Sequence, residues 1–337
     1  MKLKRWSEID ALYAIGIILV VFGHSHSSDW NDFAGTILNP IITFIYTFHM
    51  PLFFFIAGFL FMNSNSLEKI GYAKWIKYKV ERLLTPYVVL SVVTLFPKYY
   101  VEHHGFENFT LGYFLEIIFV PRAGVWGHFW FLPVLMILYL MFGIWKNLVK
   151  GKNYNLVFVF TTLAAIVLYF LPYSTDWFGF GDFKKVVVFF TFGMLLNHYK
   201  KYIYQIKSLP FRIILLLMGL AVSMILVKYC YDAELAMLLI ALIMIYVCWH
   251  IAVLIKDNPL CKWLSYHNFT IYIYSWPFQS VIMVLLCKMN FPWYLTTLCM
   301  FLTGLAVPIL IVLIYGRAKM INNHFLDLLL GFKREEK

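Results

Sequence analysis

Residues 37–62 read ILNPIITFIYTFHMPLFFFIAGFLFM, a stretch with no charged side chain and His49 as its one titratable imidazole. A helix crossing the hydrocarbon layer needs roughly 20 mostly apolar residues, and this run exceeds that length. An apolar stretch without a polar face has lipid or protein on every side, so water is excluded as its solvent. Pro51 removes one backbone hydrogen bond near the middle of the stretch and bends it, and a neighbouring group must satisfy the freed carbonyl.

Comparable runs extend in both directions. Residues 8–27 precede it; residues 83–100, 127–146, 155–172, 184–198, 211–228, 235–255, 266–287 and 293–316 follow. The expected fold is therefore all-α, a polytopic membrane bundle of about ten transmembrane helices. The sixth run is the shortest, its apolar part from Val186 to Leu196 flanked by Lys184 and Lys185. Composition agrees: 62% of the 337 residues are hydrophobic and 13% charged, against roughly 25% charged in a soluble domain. No polar stretch between the runs is long enough for a separate core, so residues 1–337 read as one domain. The basic start, residues 1–5, leads into an apolar segment with no small-residue cleavage pattern after Phe22, so this segment is expected to stay as the first anchor.

Charge sets the expected orientation. Of the 28 Lys and Arg residues, all but Lys98, Arg122, Lys184, Lys185, Lys228 and Lys288 fall on one side if the N-terminus is inside. Asp29, Asp32, Asp176 and Asp182 fall on the other. The positive-inside rule then puts both termini in the cytoplasm and the chain in the cell membrane as a multi-pass protein. The same distribution disfavours nucleic acid as a partner, since the basic residues alternate with spans instead of clustering on a soluble face. Five cysteines, Cys230, Cys248, Cys261, Cys287 and Cys299, form no C-x-x-C pair and suggest neither a disulfide framework nor a metal site.

An ionisable residue in a spanning helix costs roughly 2.5 to 3.5 kcal/mol at the centre on insertion scales, which makes it a functional candidate. Asp10, His24 and His49 qualify. Positions 10, 13, 17, 20, 21 and 24 share one stripe of the first helix, which aligns Asp10, Tyr13 and His24, with His24 roughly 20 Å from Asp10 in the outer half of the membrane. Asp10 either joins Ser7 in an N-terminal cap or has a functional role. His24 is either the wet outer end of the helix with His26 or a functional group in the bundle, and function is the better reading. His26 points to another face and receives no role. His49, beside the Pro51 bend, fits a polar cavity, with interhelical bonding as the alternative. Farther on, Gly127-His128-Phe129-Trp130 opens the fourth run, where Trp130 on physics alone is an interfacial anchor. Trp276, in Tyr274-Ser275-Trp276-Pro277, lies mid-span.

Four motifs in order carry a resemblance: Ile9-Asp10-Ala11-Leu12 through Phe22-Gly23-His24, FHMPLFFFIAGFLF at 48–61, KVERLLTPY at 79–87, and HFWFLPVL at 128–135. Together they resemble the acyltransferase-3 family, membrane-bound O-acyltransferases that modify carbohydrates, with sugar O-acetylases and biofilm-polysaccharide modifying proteins looking closest. The resemblance implies an acetyl-coenzyme A or other acyl-coenzyme A donor from the cytoplasm. It implies an acceptor hydroxyl on a carbohydrate, commonly lipid-linked or growing at the outer side, and no metal. The family's essential histidine maps to His24. Its basic residue, eleven positions earlier, is Tyr13 here, and the serine before the second-helix glycine is Ala57. The family's basic pair maps to Lys79 and Arg82.

The expected activity is transfer of an acetyl or similar short acyl group, with His24 as base, Asp10 and Tyr13 assisting and His49 shaping the cavity. His128, Trp130 and Trp276 are expected around the acceptor, and Lys79 and Arg82 on the donor phosphates. A neutral imidazole suits proton abstraction near pH 7. Two other readings are a transporter or exporter of a glycan or small solute, with histidines relaying protons, and a non-catalytic subunit of a polysaccharide assembly machine, kept open by Tyr13.

Overall fold

A computed structural model describes residues 6–26, 36–172, 175–200, 208–317 and 323–331. Residues 1–5, Asp29 and Asp32 of the charge argument lie outside them. Every regular element among the described residues is helical. Besides two short 3-10 turns, Gly127–Trp130 and Trp177–Gly179, they are α1 (Ser7–Gly23), α2 (Leu38–Tyr46), α3 (His49–Asn63), α4 (Ser66–Ile70), α5 (Tyr72–His103), α6 (Leu111–Phe119) and α7 (Phe131–Leu148), followed by α8 (Tyr154–Phe170), α9 (Phe180–His198), α10 (Leu209–Cys230), α11 (Glu234–Ile255), α12 (Pro259–Lys288), α13 (Trp293–Arg317) and α14 (His324–Leu330). Among the described residues, seven helical stretches are long and apolar enough to cross a membrane, with α2 and α3 counting as one, Leu38–Asn63. The other three expected spans fall on α1, α8 and α9, helices of 17, 17 and 19 residues. This is a multi-pass membrane protein built as a helical bundle.

The chain forms two compact units, Met1–Ile56 with Tyr199–Lys337, and Ala57–His198. In the first, α1 is enclosed: Ala11, Leu12, Ile17 and Val21 have no exposed surface. Helix α10 is the opposite. Ile213, Ile214, Leu217, Met218 and Ile225 stay exposed, as expected of a helix whose outer face meets lipid, where no backbone group is left unpaired. Phe22 and Trp293 pack on Leu38 and Ile42, joining α1, α2 and the start of α13.

In the second unit, Gly58 of α3 lies so close to α9 that a Cβ there would overlap the Phe190 carbonyl oxygen. Between membrane helices, association depends on close van der Waals packing because lipid tails are as apolar as the side chains, and a glycine permits that approach. Phe190 also stacks on Phe142 of α7, with ring centroids 4.8 Å apart. The two lysines at the start of the sixth run have a local purpose. Lys184 Nζ donates to the Leu171 carbonyl at 2.5 Å and Lys185 Nζ to the Tyr169 carbonyl at 3.0 Å. Both cap the C-terminal end of α8, where carbonyls lack helical partners and the dipole favours cations.

The first helix ends at Gly23 rather than 27, so His24 follows it instead of lying on it, and two starts differ most from the sequence expectation. The third span begins at Tyr72 rather than 83, so Lys74, Lys77, Lys79 and Arg82 sit on the first three turns of α5 and not in a loop. Residues 72–85 contain no glycine or proline to stop a helix, and the break comes earlier, at Gly71 with φ 77°. The ninth begins at Pro259, with Pro at the first helical turn and the Asn258 side chain accepting from Leu260 N at 2.9 Å.

Candidate functional site

Helix α1 stops at Gly23, and His24 follows as its C-cap at φ −93°, ψ 3°. The last four carbonyls of a helix have no intrahelical partner, and here each is accounted for. Val20 O accepts from His24 N at 3.1 Å and Phe22 O from Ser25 N at 2.9 Å. Val21 O accepts from Ser25 Oγ at 2.7 Å and from Gln279 Nε2 of α12 at 2.8 Å. Gly23 O accepts from Tyr46 Oη of α2 at 2.7 Å. Gln279 also donates to Ser25 Oγ at 2.9 Å. The turn carrying His24 is therefore held from α2 and α12 at once.

Around it lies an aromatic shell. The His24 ring centroid is 5.5 Å from that of Trp276 and 5.9 Å from that of Tyr46. Tyr46 in turn packs 5.2 Å from the buried ring of His49. His24 Nδ1 lies 3.5 Å from Tyr46 Oη, and His26 Nε2 lies 3.3 Å from the same oxygen. His49 Nδ1 is 2.9 Å from the Ile45 carbonyl. That carbonyl only accepts, so Nδ1 carries the proton and a neutral His49 keeps its lone pair on Nε2. The contact forms because α2 ends at Tyr46 and α3 starts at His49, the expected bend falling four residues before Pro51, where the missing N–H breaks the ladder.

Asp10 and Tyr13 lie farther down α1. Asp10 is buried and accepts from Ser265 Oγ of α12 at 2.7 Å; Trp6, the N-cap residue, makes no side-chain cap bond. At about 1.5 Å per residue Asp10 is roughly 20 Å from His24, beyond direct contact. Tyr13 packs on Phe53 of α3, ring centroids 6.1 Å apart. Near Asp10, Lys256 Nζ pairs with Glu8 Oε1 at 3.1 Å.

The remaining candidates belong to the second unit. Lys79 Nζ sits over the Tyr139 ring at 4.2 Å and the Trp75 ring at 5.4 Å, an arrangement that holds an ammonium by cation–π attraction. Arg82, one turn on, reaches Tyr78 Oη at 3.5 Å. Lys146 Nζ, which sequence reading left unassigned, pairs with Glu68 Oε1 at 2.8 Å, donates to Ser64 O at 3.0 Å and lies 5.2 Å from the Phe61 ring. Elsewhere in this unit, Arg122 forms a bidentate pair with Asp182, its Nε and Nη2 at 2.7 and 2.6 Å from the two carboxylate oxygens, and lies 4.5 Å over the Trp130 ring. One face of Trp130 is thus occupied by a cation. His128 packs on Phe129 at 4.6 Å.

The structure gathers His24, His49 and Trp276, and adds Tyr46 and Gln279, which sequence reading missed. The signal for Tyr46 was its position one helical turn before His49 within the uncharged stretch. The acyltransferase-3 family model, described as an acyltransferase domain, matches residues 6–315 of the chain. No curated protein and no solved structure matches it significantly.

Proposed function

From the premise that this chain belongs to the acyltransferase-3 family and is a membrane acyltransferase, we propose that it moves an acetyl or similar short acyl group from acyl-coenzyme A to a hydroxyl of a cell-surface or exported carbohydrate. The observation that carries this reading is the placement of His24 on a turn fixed at both sides and walled by Tyr46 and Trp276. His24 takes the proton from the acceptor hydroxyl, whose oxygen attacks the thioester carbonyl. The C–S bond breaks, coenzyme A leaves as a thiolate, and the proton held by His24 passes to it.

Trp276 offers a ring against which a sugar face packs beside the base. Lys79 and Arg82, i and i+3 on α5, project to neighbouring positions and present two cations for donor phosphates. In this reading the positive-inside orientation puts both termini in the cytoplasm, the protein is in the cell membrane, and the acceptor is reached while lipid-linked or growing. Tyr13, an aromatic residue packed on Phe53 in place of the family's cation, favours a second reading, a non-catalytic subunit of a polysaccharide assembly machine.

Mass spectrometry of surface polysaccharide from cells with and without the protein, paired with acetyl-coenzyme A consumption by membranes, tests the choice. Acylated sugar and donor consumption that both disappear with the protein support the enzyme. Solute flux that continues without any acyl-coenzyme A would point to a transporter, and neither signal would point to a scaffold.

A further inference from the structure

Tyr46 Oη lies within 3.5 Å of three polar atoms at the outer end of α1, on Gly23, His24 and His26, and its hydrogen-bond directions follow from theirs. Its hydroxyl has one proton, and the 2.7 Å contact to the Gly23 carbonyl, an acceptor without a proton of its own, uses it. Toward the imidazole nitrogens of His24 at 3.5 Å and His26 at 3.3 Å the same oxygen only accepts. For these contacts to be hydrogen bonds, the nitrogen brings the hydrogen: Nδ1 of His24 and Nε2 of His26. A neutral imidazole carries one N–H, so His24 protonated at Nδ1 has its lone pair at Nε2, the ring atom farthest from the main chain.

We infer that Tyr46 is a positioning residue that fixes His24 in the Nδ1–H tautomer by accepting from Nδ1 while its own proton is held by Gly23, so that Nε2 is the basic atom. The inference rests on the reading of His24 as the base. It assigns to a tyrosine the task that carboxylates or backbone carbonyls perform beside many catalytic histidines, setting which nitrogen abstracts the proton. The 3.5 Å distance is at the outer limit of a hydrogen bond, and such contacts tighten when substrate closes the site. The close fit that builds the arrangement is also visible: a Cβ at Gly23 would lie 3.0 Å from the Tyr46 ring, so glycine there lets the ring come alongside the turn. Gln279 holds the opposite side of that turn, on Val21 O and Ser25 Oγ, so rotation of the His24 main chain away from Tyr46 is opposed.

The test is Tyr46→Phe in the full-length protein, assayed with acetyl-coenzyme A and extracted surface glycan and examined with 15N-labelled histidine, the His24 resonances assigned by difference from His24→Gln. The expected result is a kcat lower by about 10- to 100-fold, a smaller loss than removal of a general base brings, with KM for both substrates within about twofold and the His24 ring nitrogens shifting from one tautomer to a mixture. A fall in kcat with the tautomer unchanged would assign Tyr46 a merely structural role and overturn the inference, as would an unchanged kcat. Should Tyr46→Phe fail to insert, 3-fluorotyrosine at position 46, which keeps the hydroxyl and weakens it as an acceptor, is expected to move the same resonances; no movement overturns the inference. If His24→Gln is fully active, the base assignment itself fails. If His24→Gln is inactive and Tyr46→Phe is normal, only the tautomer assignment fails.

Discussion

Ser265 donates its hydroxyl proton to Asp10 Oδ1 at 2.7 Å, and both side chains are buried between α1 and α12. A carboxylate in that position requires donors, because an ionised oxygen left without one in a low-dielectric interior keeps its full desolvation cost. The pair is a fixed polar tie between the first helix and a helix more than 250 residues away in sequence.

Ser265→Ala is therefore expected to destabilise the protein by about 1–3 kcal/mol, the cost of leaving a buried polar group short of a partner. Asp10→Asn, which keeps an acceptor oxygen for Ser265, is expected to cost less. Thermal unfolding in detergent orders the two variants, and a wild-type melting temperature for Ser265→Ala would show that the tie contributes nothing.

Gly58→Ala places a methyl against the Phe190 carbonyl oxygen. Backbone cannot give way as a flexible side chain does, so α3 and α9 must separate, at a cost of about 1–3 kcal/mol or more. Yield of folded protein and its melting temperature should both fall. A variant that folds at wild-type yield with an unchanged melting temperature would mean the two helices are not in backbone contact.

Arg122→Lys keeps the charge opposite Asp182 but loses the bidentate geometry and the planar group over Trp130. The stability change is expected to be small, since the arginine is more than half exposed. The Trp130 environment should nonetheless change. In a background where the other ten tryptophans are replaced by phenylalanine, Trp130 emission is expected to become more accessible to a soluble quencher, and identical quenching in the two proteins would refute the stacking.

Removing the cations Lys79 and Arg82 of α5 tests whether they hold the donor. Lys79→Ala and Arg82→Ala are each expected to raise KM for acetyl-coenzyme A by about tenfold, the scale of one charge-assisted hydrogen bond, and to leave KM for the glycan unchanged. Equal effects on both substrates would separate these residues from donor binding.

Much of the architecture was legible because hydropathy and the cost of charge in lipid act on sequence directly. The uncharged run at 37–62 and the imidazoles of His24 and His49 stand out for that reason. Tyr46 and Gln279 do not, since an uncharged polar side chain barely alters an apolar run, and its importance comes from a carbonyl on another helix. The pairing of Asp10 with Ser265 was hidden in the same way: a single sequence shows that a buried carboxylate needs a donor but not which helix supplies it. The start of α5 was misplaced because Lys74, Lys77, Lys79 and Arg82 lower the hydropathy of helical turns that nothing in the backbone interrupts. Lys184 and Lys185 looked like interruptions of a span, and their role became visible only with the carbonyls at the end of α8.

As proposed, the imidazole of His24 abstracts the acceptor proton. Release of coenzyme A from acetyl-coenzyme A in a single turnover, with glycan acceptor present and the protein shown to be folded and to bind donor, measures that step in wild type and in His24→Ala. His24→Ala is expected to bind donor normally and to release coenzyme A at least about 100-fold more slowly, the contribution expected of a general base. Release within about twofold of wild type would contradict it.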